Sequence, residues 1–237
     1  MRQRWNHLLF AHWPIPPDAL ARTLPAGLEI DTFDGQAWLG VVPFFMDQVR
    51  VRTLGQRTIS FPTTRAFPEL NLRTYVRSRR TGKRGVWFFS LDAGSPLAVF
   101  GARMFFSLPY FPATMTCRTH DDGSISYTSR RRLPRARPAA TQLRYRPTGQ
   151  VILSRPGDLA SFLTERYCLF TSSRWTRRLL VGEIHHRPWP LQPAEAEWTA
   201  NGLPGDFGFR LPAVEPILHF GRELDVIIWG LTPEARS

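Results

Sequence analysis

The chain has 237 residues, 43% of them hydrophobic and 13% aromatic, which is apolar material enough for a sizeable core and excludes a disordered chain. Its formal net charge is +12, yet all but one of its 31 basic residues are arginine, a skew that points to coding bias rather than to binding. The two cysteines, Cys117 and Cys168, form neither a disulfide framework nor a metal-ligand spacing, and no apolar run reaches the roughly 20 residues of a membrane-spanning helix. A reduced, cytoplasmic setting is expected.

Residues 1–13 are basic and then apolar at Leu8–Ala11, too short a run for a signal-peptide core and broken by His12 and Pro14. Pro16-Pro17 introduce a short helix over Asp18–Leu24. Asp34-Gly35 is a hairpin dipeptide and predicts pairing of Leu28–Phe33 with Ala37–Phe45. The second of these runs is apolar on both faces and should be a central strand. Glu69–Arg77 is expected to pair with Val86–Asp92 through the turn Thr81–Gly85. Ser95-Pro96 opens a helix whose apolar positions Leu97, Phe100, Met104 and Phe105 recur at helical spacing until Pro109. Strands follow near Ala113–Arg118, Ser124–Arg130 and Gln142–Arg146, the first two joined by Asp121-Asp122-Gly123. A second helix is predicted over Asp158–Arg166 with Leu159, Phe162 and Leu163 buried, and strands continue to Leu224–Trp229. With 21 prolines and 17 glycines punctuating short apolar runs, the pattern is one mainly β domain over residues 1–237, a barrel or curled sheet with a few helices.

The segment Phe67–Val76 carries the most chemistry. Strand alternation puts Glu69, Asn71, Arg73 and Tyr75 on one face and Leu70, Leu72 and Val76 on the other. Such a row is either a solvated sheet face or the wall of a polar cavity. The next strand, Val86–Leu91, is apolar on both faces, so a cover over the polar face is expected, and covered charges must be paired and hydrogen bonded. Arg103 is a lone cation in an apolar helix, either snorkelling to solvent, or closing an ion pair with Glu69 or holding an anion.

His185 and His186 are adjacent, so on a strand they face opposite ways and cannot readily share a metal; no metal site is expected. The chain lacks the nucleophile-elbow, Walker and dinucleotide-binding glycine motifs, so no cofactor is expected. The densest basic runs, Arg77–Arg80 and Arg130–Arg132, lie at strand ends and read as solvated hairpin ends rather than as a nucleic-acid track.

The order of Trp38–Phe44, Glu69–Val76, Gly85–Ala93, Leu108–Phe111, Leu163–Leu169 and Ile184–Pro190 resembles the DUF2071 (YqjF-like) family over nearly the whole chain. That family is similar, more remotely, to the acetoacetate decarboxylase superfamily, which implies a cone-like β-barrel enclosing a cavity. In the decarboxylase pattern G-R-E-x-x-G-F-P-K-K, Arg103 and Pro109 match, while Met104 replaces the glutamate and Tyr110 and Phe111 replace the two lysines. Glu69 is placed at the cavity glutamate. The one lysine, Lys83, belongs to a solvated hairpin turn, so imine-based decarboxylation is not expected.

Two readings stay open. In one, the barrel binds a small organic anion or carbonyl compound and acts without lysine, with Glu69 as base, Tyr110 as acid, and Asn71, Arg73, Tyr75 and Arg103 contacting the ligand. In the other, the protein binds a ligand or serves structurally after losing the ancestral chemistry. Neither reading calls for a membrane or nucleic acid, and exposed aromatics leave room for an oligomer interface.

Overall fold

A computed structural model of the protein describes residues 1–52, 58–59, 66–95, 107–132 and 139–234. In chain order the strands are β1 (Arg2–Ile15), β2 (Leu28–Ile30), β3 (Ala37–Arg52), β4 (Thr58–Ile59), β5 (Phe67–Ser78), β6 (Arg84–Ala93), β7 (Tyr110–Thr119), β8 (Ile125–Arg131), β9 (Ala140–Pro147), β10 (Ile152–Leu153), β11 (Cys168–Ser172), β12 (Leu179–His185), β13 (Pro190–Asn201), β14 (Ile217–Ile228) and β15 (Thr232–Pro233). Among the described residues three short helices accompany them: α1 (Pro17–Ala21), α2 (Leu159–Thr164) and α3 (Leu203–Asp206). Asp158 caps α2 by accepting from the Ser161 amide at 2.6 Å.

The mainly β expectation holds, and the sheet closes on itself. One circuit runs β6-β11-β12-β14-β1-β3-β5 and returns to β6; a second runs β13-β9-β8-β7-β6-β5-β3-β1-β14 and returns to β13. The two share the path from β6 through β5, β3 and β1 to β14, and along it most of β5, residues 37–44 of β3 and residues 8–13 of β1 are buried on both faces. That explains the two-faced hydrophobicity of β3, which lies between β1 and β5 as expected of a central strand.

Alternate residues of the shared strands feed separate cores. Leu9, Ala11, Leu39, Val41, Leu70 and Leu72 join one cluster with Tyr127 and Tyr145. Leu8, Phe10, Val42 and Phe44 join another with Trp189 and Leu191. Close packing here depends on Gly221, where a Cβ would stand 2.7 Å from the Trp189 ring.

The β5–β6 hairpin and the β7–β8–β9 meander are as the sequence implies. Three differences have physical causes. The first fourteen residues after Met1, assigned to no element from sequence, form β1 between β3 and β14. Asp34 and Gly35 do make a tight turn with positive φ (49° and 77°), but it joins only the isolated Phe33–Gln36 bridge. The preceding run shortens to β2, which pairs with β5 instead of β3. Asp31 holds it there: its amide donates to the Tyr75 carbonyl and its carboxylate binds buried Arg166 at 2.7 Å. Finally, Arg131 is not a solvated hairpin end. It is buried on β8, donating to Asp92 and Ser90 and lying over Phe111 and Phe207. The helix expected after Ser95 falls almost wholly outside the described residues, and with it Arg103.

Candidate functional site

Glu69, Asn71, Arg73 and Tyr75 share one face of β5, and none is more than 7% exposed. The solvated-face alternative is therefore excluded. Their cover comes from β1, β3 and α2. The pairing sets Gly40 of β3 between Arg73 and His12 of β1, and a Cβ on Gly40 would lie 3.1 Å from the His12 ring and 3.4 Å from Arg73 Cγ. Glycine at this position lets the imidazole and the guanidinium side chain share the same space.

The row divides into two clusters. At one end Tyr110 donates to Glu69 Oε2 at 2.9 Å. The parallel β6–β7 register brings this about, because Leu91 lies beside both Asn71 and Tyr110. Burial pushes the Glu69 carboxyl up to about 8, the Tyr110 and Asn71 hydrogen bonds hold it down in part, and the charge of Asp92 adds to the rise. The Tyr110 phenol is itself raised well above its ordinary value, by burial first and then by Glu69. It thus stays protonated as a donor, while Glu69 exchanges its proton close to neutral pH.

At the other end Tyr75 donates to the Leu163 carbonyl at 2.6 Å, and His12 Nε2 stands 2.6 Å from the same hydroxyl. With its proton committed to Leu163, Tyr75 accepts from His12, which places the imidazole hydrogen on Nε2 and leaves Nδ1 a bare acceptor. Burial, with Arg73 and His219 adding, holds His12 well below the ordinary imidazole value, so the ring is neutral. Arg73 donates one Nη2 bond to Leu163 at 3.2 Å and reaches Tyr75 at 3.4 Å, with its guanidinium 5.3 Å from the Phe10 ring centroid.

What this end lacks is a counter-charge. Among the described residues, no carboxylate lies within ion-pair distance of Arg73. The two other guanidiniums buried among the described residues, Arg131 and Arg166, are paired with Asp92 and Asp31. Three buried polar atoms about the row are also without a partner among the described residues: Arg73 Nε, His12 Nδ1 and Asn71 Oδ1. An unpaired buried donor or acceptor costs roughly 1–3 kcal/mol, and more when charged, so the network is not self-saturating.

His12 is the member that sequence reasoning missed. Its only signal was alternation with Phe10 in a segment read for targeting. The remaining candidates separate from the site. Lys83 is exposed and ion-paired with Glu183. His185, the last residue of β12, is exposed and His186, just beyond the strand, is buried, with His186 Nδ1 2.7 Å from the Arg187 carbonyl. Burial pushes the Cys117 and Cys168 thiols up to about 11 and about 12, which makes them unreactive. The run Arg77–Arg80 is tied to acids: Arg77 and Arg79 to Glu29, and Arg80 to Glu234. Among the described residues no group of three potential ligands could hold a metal ion, and no helix is long and apolar enough to cross a membrane.

Comparison with known proteins agrees with this architecture. The MppR enzyme of enduracididine biosynthesis, solved with the condensation product of pyruvate and imidazole 4-carboxaldehyde, superposes with a TM-score of 0.67 at 13% identity, covering 98% of this chain and 88% of that one. The acetoacetate decarboxylase of Legionella pneumophila gives 0.62 at 14% identity, covering 100% and 89%. At these identities the likeness is one of fold, which is acetoacetate-decarboxylase-like. In sequence, the uncharacterized protein YqjF of Bacillus subtilis (strain 168) is 45% identical over 231 residues, 98% of this chain and 91% of that protein. The family described as an uncharacterized conserved protein, DUF2071, matches residues 2–225, and the chain belongs to it.

Proposed function

We propose that this protein binds a small organic acid against the polar face of β5 and exchanges a proton with it without an imine. The observation that carries the reading is Arg73, a buried guanidinium with no carboxylate beside it among the described residues and with Nε, His12 Nδ1 and Asn71 Oδ1 unsatisfied nearby. A ligand carboxylate accepts from Arg73. Four strand residues, roughly 13 Å of backbone, separate Arg73 from Glu69. A keto acid of four to six carbons therefore suits the row better than one of three. MppR has been solved with pyruvate, which supports keto acids as the class to test.

The chemistry within reach is enolisation. Ionised Glu69 takes a proton from the carbon next to the ligand carbonyl. The electron pair moves to the carbonyl oxygen, where the Tyr110 hydroxyl donates as protonation of Glu69 releases it, and return of the proton restores the keto form. Arg103, matched to the superfamily arginine, belongs to this reading as a second anion contact. In D2O, proton NMR of 4-oxopentanoate is expected to show protein-dependent loss of its C3 protons, faster as pH passes about 8. The exchange should vanish in Glu69→Gln and weaken in Arg73→Gln. Exchange no faster than in buffer, or unchanged in both variants, would sink the enzymatic reading.

One observation favours a structural share in the row: the Tyr75 hydroxyl is bonded to Leu163 and His12 and reached by Arg73, which supports a role in bracing α2 against β1.

A further inference from the structure

Far from the β5 row, strands β12, β14, β1 and β3 lay a second line of side chains across one face. Their pairing sets His185 beside Ile227, Ile227 beside Arg2, and Arg2 beside Arg50. Arg2, Arg50 and His185 are exposed. Directly opposed side chains in an antiparallel pair stand about 5 Å apart at Cβ, and like charges there repel. The next row along the strands shows the usual remedy. Arg4 lies between Asp225 and Asp47, donates to Asp225 at 2.9 Å, and has Glu223 at 4.0 Å. Of the nearby acids, which line the same cleft as these arginines, Asp225 accepts from Arg4 and Glu223 stands at the 4.0 Å limit from it. Among the described residues, Arg2, Arg50 and Arg187 have no carboxylate within ion-pair distance.

These arginines line a cleft of about 510 Å³. A repelling pair of guanidiniums with a third in the same cleft describes what is missing, a group with oxygens enough to bridge two cations. Guanidiniums bind such oxygens in forked pairs, and tetrahedral oxyanions match that geometry.

We infer that this cleft binds a small phosphate-type oxyanion, with the opposed Arg2 and Arg50 as its clamp and Arg187 closing it. Two adjacent cations favour a diphosphate over a single phosphate. The site is independent of the β5 row, and its proposal stands or falls separately.

Calorimetric titration with inorganic pyrophosphate at low salt tests it. Binding is expected in the parent protein. Arg2→Gln and Arg50→Gln should each weaken it roughly tenfold, the worth of one charge-assisted hydrogen bond. Arg118→Gln and Arg130→Gln, exposed arginines on β7 and β8, should leave it unchanged. No binding would overturn the inference. So would an equal loss in the control variants, since that reports the net charge of the chain and the diffuse attraction any polyanion, nucleic acid included, would feel. A second reading comes from the ligand-free melting temperature. Relief of repulsion predicts that Arg2→Gln leaves it equal or higher, whereas a clear fall means Arg2 already has a stabilising partner and the clamp is wrong.

Discussion

Replacing Glu69 by glutamine should change how the stability of this protein depends on pH. The carboxyl has an ordinary value of 4.5 and is pushed up to about 8 in the fold, chiefly by burial. Below pH 4.5 it is protonated folded or unfolded and contributes no pH dependence. Between 4.5 and about 8 the unfolded chain ionises while the folded one holds its proton, so unfolding releases a proton and stability falls as pH rises. At ~1.4 kcal/mol for each pH unit the accumulated loss is about 5 kcal/mol, complete above pH 8. Glutamine keeps an acceptor for Tyr110 and cannot ionise. Urea denaturation at pH 5, 6, 7, 8 and 9 should therefore show the parent losing ground to Glu69→Gln by about 1.4 kcal/mol per unit up to pH 8, then levelling. Other titrating groups cancel in the difference. A difference that stays flat from pH 5 to 9 would mean Glu69 is solvated or held ionised by a cation, and the buried-acid picture would be refuted.

Three further outcomes follow from the packing and the charges. Arg131→Met should destabilise the protein by roughly 3–5 kcal/mol because Asp92 is left buried without its partner, whereas the double variant Arg131→Met/Asp92→Leu should recover most of that in chemical denaturation. Gly221→Ala should cost roughly 1–3 kcal/mol, since its Cβ would meet the Trp189 ring at 2.7 Å; an unchanged urea midpoint would show that the ring can yield. Borohydride reduction in the presence of 4-oxopentanoate should leave no mass adduct at Lys83, which is exposed and paired with Glu183, and an adduct there would restore imine chemistry.

The sequence made the polar row legible because strand alternation is a strict rule: once Glu69–Val76 is a strand, four polar side chains must share a face. It also made the Tyr110–Glu69 pair legible, through resemblance to a family frame rather than through spacing. The opposite cluster was hidden. His12 and Tyr75 are 63 residues apart and meet only because β1 and β5 flank β3, a neighbour relation that no local pattern encodes. The fate of Arg131 was hidden for a related reason. Three consecutive arginines look alike in sequence, but strand geometry sends the middle one inward to Asp92 while its neighbours face solvent. β2 was misplaced because the Asp34-Gly35 turn is a local signal, whereas the ion pair from Asp31 to Arg166 spans 135 residues.

A crystal structure of the protein soaked with 4-oxopentanoate tests the interior site most directly. The expected result is a carboxylate on Arg73 Nε and Nη2, with the ketone directed toward Glu69 and Tyr110. Density for the acid only among Arg2, Arg50 and Arg187, or Arg73 unliganded at saturating acid, would contradict it.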